Sequence, residues 1–136
     1  MGKRRSASTK ITEEPGLDLA RRRFEPLASF LEHLGKNVAD HKPWFSLKIQ
    51  DDMRKIAQHT FETKYLLCKN GAECLSLDFT LVGPEADKIL FQRHKRSSPR
   101  DMSANSEQVD LHVYRLDEMD QLKQVVENKV ISYTSG

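Results

Sequence analysis

The chain predicts an α+β fold: an antiparallel β-sheet of about four strands, with one face packed by two or three helices. Two observations lead there. The runs "TKYLLCK" and "AECLSLDFTLVG" read as strands joined at Asn70-Gly71, a pair that tolerates positive φ and so favours a hairpin turn. The segments "LDLARRRFEPLASFLEHLG" and "DEMDQLKQVVENK" repeat apolar residues at helical spacing on either side of the strand-rich middle. A sheet with one face under helices and the other in water accommodates both. At 136 residues the chain fits one domain.

Taken in order, residues 1–16, "MGKRRSASTKITEEPG", show no apolar period and predict a disordered basic tail before a single domain over 17–136. Phe24, Leu27, Ala28, Leu31 and Leu34 form the first helical stripe. Pro26 belongs in a first turn, so the helix proper should begin near Glu25, with Gly35 stopping it. Residues 17–23 would make a separate short turn. In "WFSLKIQ", Phe45, Leu47 and Ile49 alternate with Ser46, Lys48 and Gln50, the period of a half-buried strand. Asp51 then suits the cap of a helix carrying Met53, Ile56, Ala57 and Thr60. One helix over 44–60 is the alternative.

Beyond the hairpin, Leu75, Leu77, Phe79 and Leu81 should face the core, with Ser76, Asp78 and Thr80 on the wet face. "KILFQRH" supplies the next strand. "QVDLHVYRL" places Val109, Leu111 and Val113 inward and Asp110, His112 and Tyr114 outward. In the last helix Asp117 is the cap, and Met119, Leu122, Val125 and Val126 make the stripe.

The formal charge of +2 is unevenly spread. Residues 1–23 hold seven Lys and Arg against three acids, and 93–100 hold four against none. Residues 24–92 and 101–136 are net acidic. The basicity therefore belongs to a tail and one loop, "RHKRSSPR", and the body is mildly acidic. Lys3, Arg4, Arg5, Arg21, Arg22, Arg23, Arg93, Lys95, Arg96 and Arg100 are the candidate contacts to an anionic partner, each neutralised phosphate adding through counterion release. Only Phe24 adjoins these clusters, so stacking of bases on interleaved aromatics is not indicated. Ser6, Ser97 and Ser98 lie among the arginines, where phosphorylation would offset the positive charge.

Other chemistry is weaker. An Asp–His–Ser grouping on the wet face follows from alternation alone, and none of the serines sits at the sharp turn a nucleophile usually occupies. Asp51 with Glu62 and Lys64 echoes the spacing of a metal-dependent nuclease, but Asp51 reads better as a helix cap. Cys68 faces 73 across a two-residue turn and Cys74 across a three-residue turn. The pair is expected as free thiols of a reducing compartment, the sharper alternative being a redox pair or half of a metal site. The five histidines are dispersed, and no phosphate-binding glycine loop or metalloprotease motif is present. No window has the apolar length of a membrane span.

The sequence therefore predicts a small non-enzymatic binding protein, intracellular and cytoplasmic, or nuclear in a eukaryote, with no cofactor and no metal. The expected partner is nucleic acid, held by the loop 93–100 and the basic tail. The alternative is an adaptor or regulatory protein that binds another protein through the polar sheet face or an edge strand. Convergence of tail and loop on one face would favour the first reading; separation would favour the second.

Overall fold

The computed structural model describes residues 16–96, 100 and 107–135. Helix α1 (Leu17–His41) is followed by strands β1 (Phe45–Ala57), β2 (Thr60–Lys69), β3 (Cys74–Val82), β4 (Lys88–Arg96) and β5 (Glu107–Arg115). A 3-10 turn (Leu116–Glu118) leads into helix α2 (Met119–Thr134). The strands form one antiparallel sheet in the order β1-β2-β3-β4-β5, and both helices lie on one face. The α+β class is as the sequence predicts, with five strands rather than about four.

The core lies between that sheet face and the helices. Leu75, Leu77, Phe79 and Leu81 of β3 are buried beneath Phe24, Leu27 and Leu31 of α1 and Leu122, Val126 and Val130 of α2. Phe79 stacks on Phe91 of β4 at 5.1 Å and meets Phe24 at 5.3 Å between ring centroids. α2 runs beside α1, with Lys123 Nζ 6.0 Å from the Phe30 ring.

Both helices run in the same direction. At the lower end of the sheet, Gly16 lies against the Phe61 ring, Arg23 reaches the Glu85 carbonyl, and Leu116 N–H donates to Asp87 O. At the upper end, Asn70 N–H donates to Trp44 O and Lys42 Nζ donates to Thr134 O.

Several local expectations are corrected. α1 runs unbroken through Pro26 and Gly35, because the stripe Leu17, Ala20, Phe24, Leu27, Leu31, Leu34, Val38 continues on both sides of them. Pro26 is exposed, so the carbonyl it leaves without an intrahelical donor lies on the solvent side. Gly35 is a close-approach residue: a Cβ there would lie 3.0 Å from the Leu47 carbonyl oxygen of β1. Residues 51–57 are strand, neither a helix nor part of one over 44–60, and Asp51 caps nothing. Register shifts between Ile49 and Asp51 and between Asp51 and Arg54 break the alternation of β1. Such bulges mimic helical spacing in a sequence.

In the part of β5 whose side chains are described, residues 112–115, the facing is the reverse of that expected; Val109, Asp110 and Leu111 lie outside it. Ile89 and Phe91, both fully buried, pair with Tyr114 and His112, so these two residues share the helix side and Val113 is 57% exposed on the other. β5 is an edge strand, where a valine contributes less to burial than Tyr114, which packs on the core. α2 is not capped by Asp117; the Glu118 carboxylate instead accepts from the Arg115 N–H.

The turn at Asn70-Gly71 is the three-residue version. Asn70 and Gly71 have φ of 55° and 69°, and Lys69 N–H donates to Glu73 O. Cys68 thus faces Cys74, and the two are joined in a disulfide rather than standing as free thiols. Closing so short a loop removes chain entropy worth about 2 kcal/mol in the unfolded state.

Candidate binding sites

The sequence-predicted basic residues do not converge. Lys3, Arg4 and Arg5 lie outside the described residues. Arg21, Arg22 and Arg23 sit in the first turns of α1 at the lower end, where Arg22 approaches Asp18 at 3.7 Å and Arg23 Nε donates to Glu85 O. Residues 93–96 are not a loop but the upper end of β4. Alternation places Arg93 and Lys95, opposite Leu77 and Leu75, on the helix side, with Arg96 opposite Cys74 on the other face. Arg96 is 7% exposed, and Arg100 is exposed. Arg23 is tied to the turn below β4, whereas residues 93–96 lie in the upper half of that strand.

On the helix side of β4, Arg93 and Lys95 meet Lys129, Ser132 and Tyr133 of α2 around a depression of about 460 Å³. Spacing of three and four residues brings these α2 side chains to one helix face. Glu73 stands at the same depression. Burial raises the Tyr133 hydroxyl above the usual tyrosine range, with the Glu73 charge adding to it. Tyr133 Oη is buried and has no hydrogen-bond partner among the described residues.

The helix-free face carries the Asp–His–Ser chemistry, with a different histidine from the one expected. Ser76 Oγ donates to Asp78 Oδ1 at 2.5 Å, and His94 Nε2 of β4 lies 3.4 Å from Asp78 Oδ2. Asp110 and His112 are two strands away from Ser76, beyond β4. A nucleophilic triad needs the hydroxyl to donate to the imidazole. Here both the hydroxyl and the imidazole meet the carboxylate, an order that fixes side chains and does not activate the serine. Ser76, Asp78 and Thr80 are 0%, 4% and 7% exposed, contrary to the wet face expected. Ser76 is flanked by Leu66 and His94, Asp78 by Lys64 and Gln92, and these longer side chains enclose β3 from both sides.

Asp51 and Lys64 are cross-strand partners, and Glu62 lies 3.8 Å from Arg54. Burial raises the Glu62 carboxyl, with Asp78 and Asp51 adding to the effect while Lys64 and Arg54 oppose it. Among the described residues no group of three acids, histidines or cysteines is placed to hold a metal ion.

The feature hardest to see in the sequence is a groove between α1 and β1. Its apolar lining comes from Ala28, Leu31, Leu47, Ile49 and Tyr65, with Gly35 at the point of closest approach, and its volume is about 550 Å³. Ile49 is 51% exposed. Glu25 and Glu32 line its lower part and Lys36 and Lys48 its upper part. Burial, then the charges of Asp52, Glu25 and Glu32, push the Tyr65 hydroxyl up to about 12. β1 is an edge of the sheet.

Comparison with family models, with curated proteins and with solved structures finds no match to this chain. Among the described residues, no helix is long and apolar enough to cross a membrane.

Proposed function

We propose that this chain is a non-enzymatic binding protein of the adaptor kind, which holds an extended segment of another protein along the edge of β1. The observation that supports it is the apolar groove opening beside an edge strand. A peptide added to β1 gains main-chain hydrogen bonds, and alternate side chains fall over the groove to give specificity. The regularly paired half, Phe45–Ile49, suits this role. Below it, bulges and the charges of Asp51, Asp52, Arg54 and Lys55 blunt the edge. The apolar lining suits an aliphatic or aromatic anchor, and Glu25 and Glu32 suit a basic residue toward the lower end. The buried, internally paired cluster around Asp78 leaves the polar sheet face less suited to docking.

Nucleic-acid binding through Arg93, Lys95, Arg96, Arg100 and the tail is the weaker reading. Arg23 is bonded to Glu85 O in the turn below β4, and Arg96 is buried on the face away from the helices, so the basic residues form no single surface. Selection of random displayed peptides on the purified chain should enrich sequences with alternating apolar residues. Ile49→Asp, at an exposed position, should weaken their binding at least about tenfold while leaving the fold intact. No enrichment, or peptides indifferent to Ile49→Asp, would overturn the proposal. Steeply salt-dependent binding to a generic duplex, flattened by Lys95→Gln with Arg100→Gln, would favour nucleic acid instead.

A further inference from the structure

We infer that the β1 edge grips its peptide from both faces of the sheet. It selects an extended segment that reads apolar, apolar, acidic, apolar against Ser46, Leu47, Lys48 and Ile49 in that order. This rests on the peptide-binding reading above and specifies the segment that the edge takes.

The α1–β1 groove lies on the helix side of β1. On the opposite face the same stretch of strand borders a second, smaller depression of about 290 Å³, where Ser46, Lys48, Leu66, Cys68 and Gly71 meet. The register accounts for its position. Ser46 pairs with Cys68 and Lys48 with Leu66, whereas Leu47 and Ile49 pair with Leu67 and Tyr65 of the main core. Alternation therefore assigns Ser46 and Lys48 to the helix-free face. Leu66, Cys68 and Cys74 form a small apolar cluster there, separate from the main core. Ser46, the edge-strand residue across from Cys68, has a short side chain and so leaves a depression at the margin of the sheet.

A strand added to β1 would lie about 4.8 Å outside it, its side chains alternating between the two faces in step with those of β1. The residue opposite Ser46 turns to the helix-free face, where an aliphatic side chain can lean over the serine toward Cys68 and Leu66. The residues opposite Leu47 and Ile49 turn into the larger groove. The residue opposite Lys48 shares the helix-free face with that lysine, which is exposed. On β2, Leu66 lies directly across from Lys48, with Lys64 and Cys68 on the diagonals, so this strand presents no acid to it. Among the described residues no acid lines the smaller depression. Lys48 borders the groove as well, where Lys36 and the carboxylates Glu25 and Glu32 also stand. A carboxylate directly opposite Lys48 forms a cross-strand ion pair with it, and a lysine or arginine there is repelled. A second copy of this chain fits less well, because its own stretch Phe45–Ile49 holds no acid to set against Lys48.

Random displayed peptides would be selected in parallel on the full chain, on Ser46→Phe and on Lys48→Glu, and the enriched sequences titrated by fluorescence anisotropy. The unaltered chain should enrich the apolar, apolar, acidic, apolar order. Lys48→Glu should enrich lysine or arginine at the third position and bind the original peptides about tenfold more weakly. Ser46→Phe, which plugs the smaller depression, should lose the preference at the first position and bind those peptides about fivefold more weakly. Peptides with alanine at that position should bind Ser46→Phe and the unaltered chain alike. A readout that needs no variant is the Leu66 methyl signal, which should shift with an apolar first residue and stay in place with alanine. Peptides that depend on Ile49 yet show no preference opposite Ser46 and Lys48 would overturn the inference and leave the edge reading standing. An acid retained at the third position by Lys48→Glu would do the same. No enrichment on any of the three chains would overturn both.

Discussion

Removing the Asp78 carboxylate would leave two partners without their contact at once, the buried Ser76 hydroxyl and the His94 imidazole. From the sequence, Asp78→Ala should cost less than about 1 kcal/mol, as surface changes do. The structure raises that expectation to about 2–4 kcal/mol, since a buried donor is orphaned and a buried contact with His94 is lost. Asp78→Asn, whose amide oxygen can still accept from Ser76, should cost less. Urea denaturation of both variants beside Leu77→Ala, expected to lose about 2–5 kcal/mol to its cavity, checks the ranking. Equal, small losses for both Asp78 variants would place the carboxylate in water. Alternation had identified which side of β3 each residue faces. It could not show that Leu66, Lys64, Gln92 and His94 close over the far side, because that depends on neighbouring strands. Tyr65 adds a pH signature. Its folded value, about 12, exceeds that of the unfolded chain, near 10. Its contribution is therefore complete below pH 10 and is lost as pH rises toward 12. Tyr65→Phe should remove that alkaline loss while keeping the ring against Phe79, as thermal melts between pH 9 and 12 would show.

At the scale of elements, α1 and β1 are where local signals misled and where the groove arises. Proline and glycine inside "FEPLASFLEHLG" look like helix boundaries, yet a seven-residue buried stripe outweighs both. Gly35 is present because α1 approaches β1 closely there. Gly35→Ala would gain helix propensity of about 1 kcal/mol. Against that, the added methyl would press at 3.0 Å on a backbone oxygen, and β1 is held on its inner side by β2. A lower Tm is expected, with altered amide shifts for Leu47; a higher Tm would mean that β1 yields. The β1 bulges explain the false helix over 51–60. Met53, Ile56, Ala57 and Thr60 recur at three and four residues, and of the four only Met53 is buried. The hairpin of β2 and β3 was legible because its turn chemistry is local. The groove was not, because it joins residues from α1, β1 and β2 that share no motif.

For the whole molecule, composition correctly located the positive charge along the chain and said nothing about where it would lie in space. Arg21 to Arg23 and Arg93 to Lys95 are close in character but belong to different elements, α1 and β4, with Arg23 tied to the turn at Glu85. The strand order supplies one more consequence, in folding kinetics. Since the strands lie in space as they do in the chain, every pairing in the sheet joins sequence neighbours. Contacts of short sequence separation require little loop closure, so the meander can form hairpin by hairpin. α1 is the exception. Synthesised before every strand, it must wait for Phe79 before Phe24 has its aromatic partner, and for α2 before the layer over the sheet is complete. The half-made chain therefore exposes the apolar stripe of α1 during translation, and this is the stage at which it is most open to aggregation or chaperone capture.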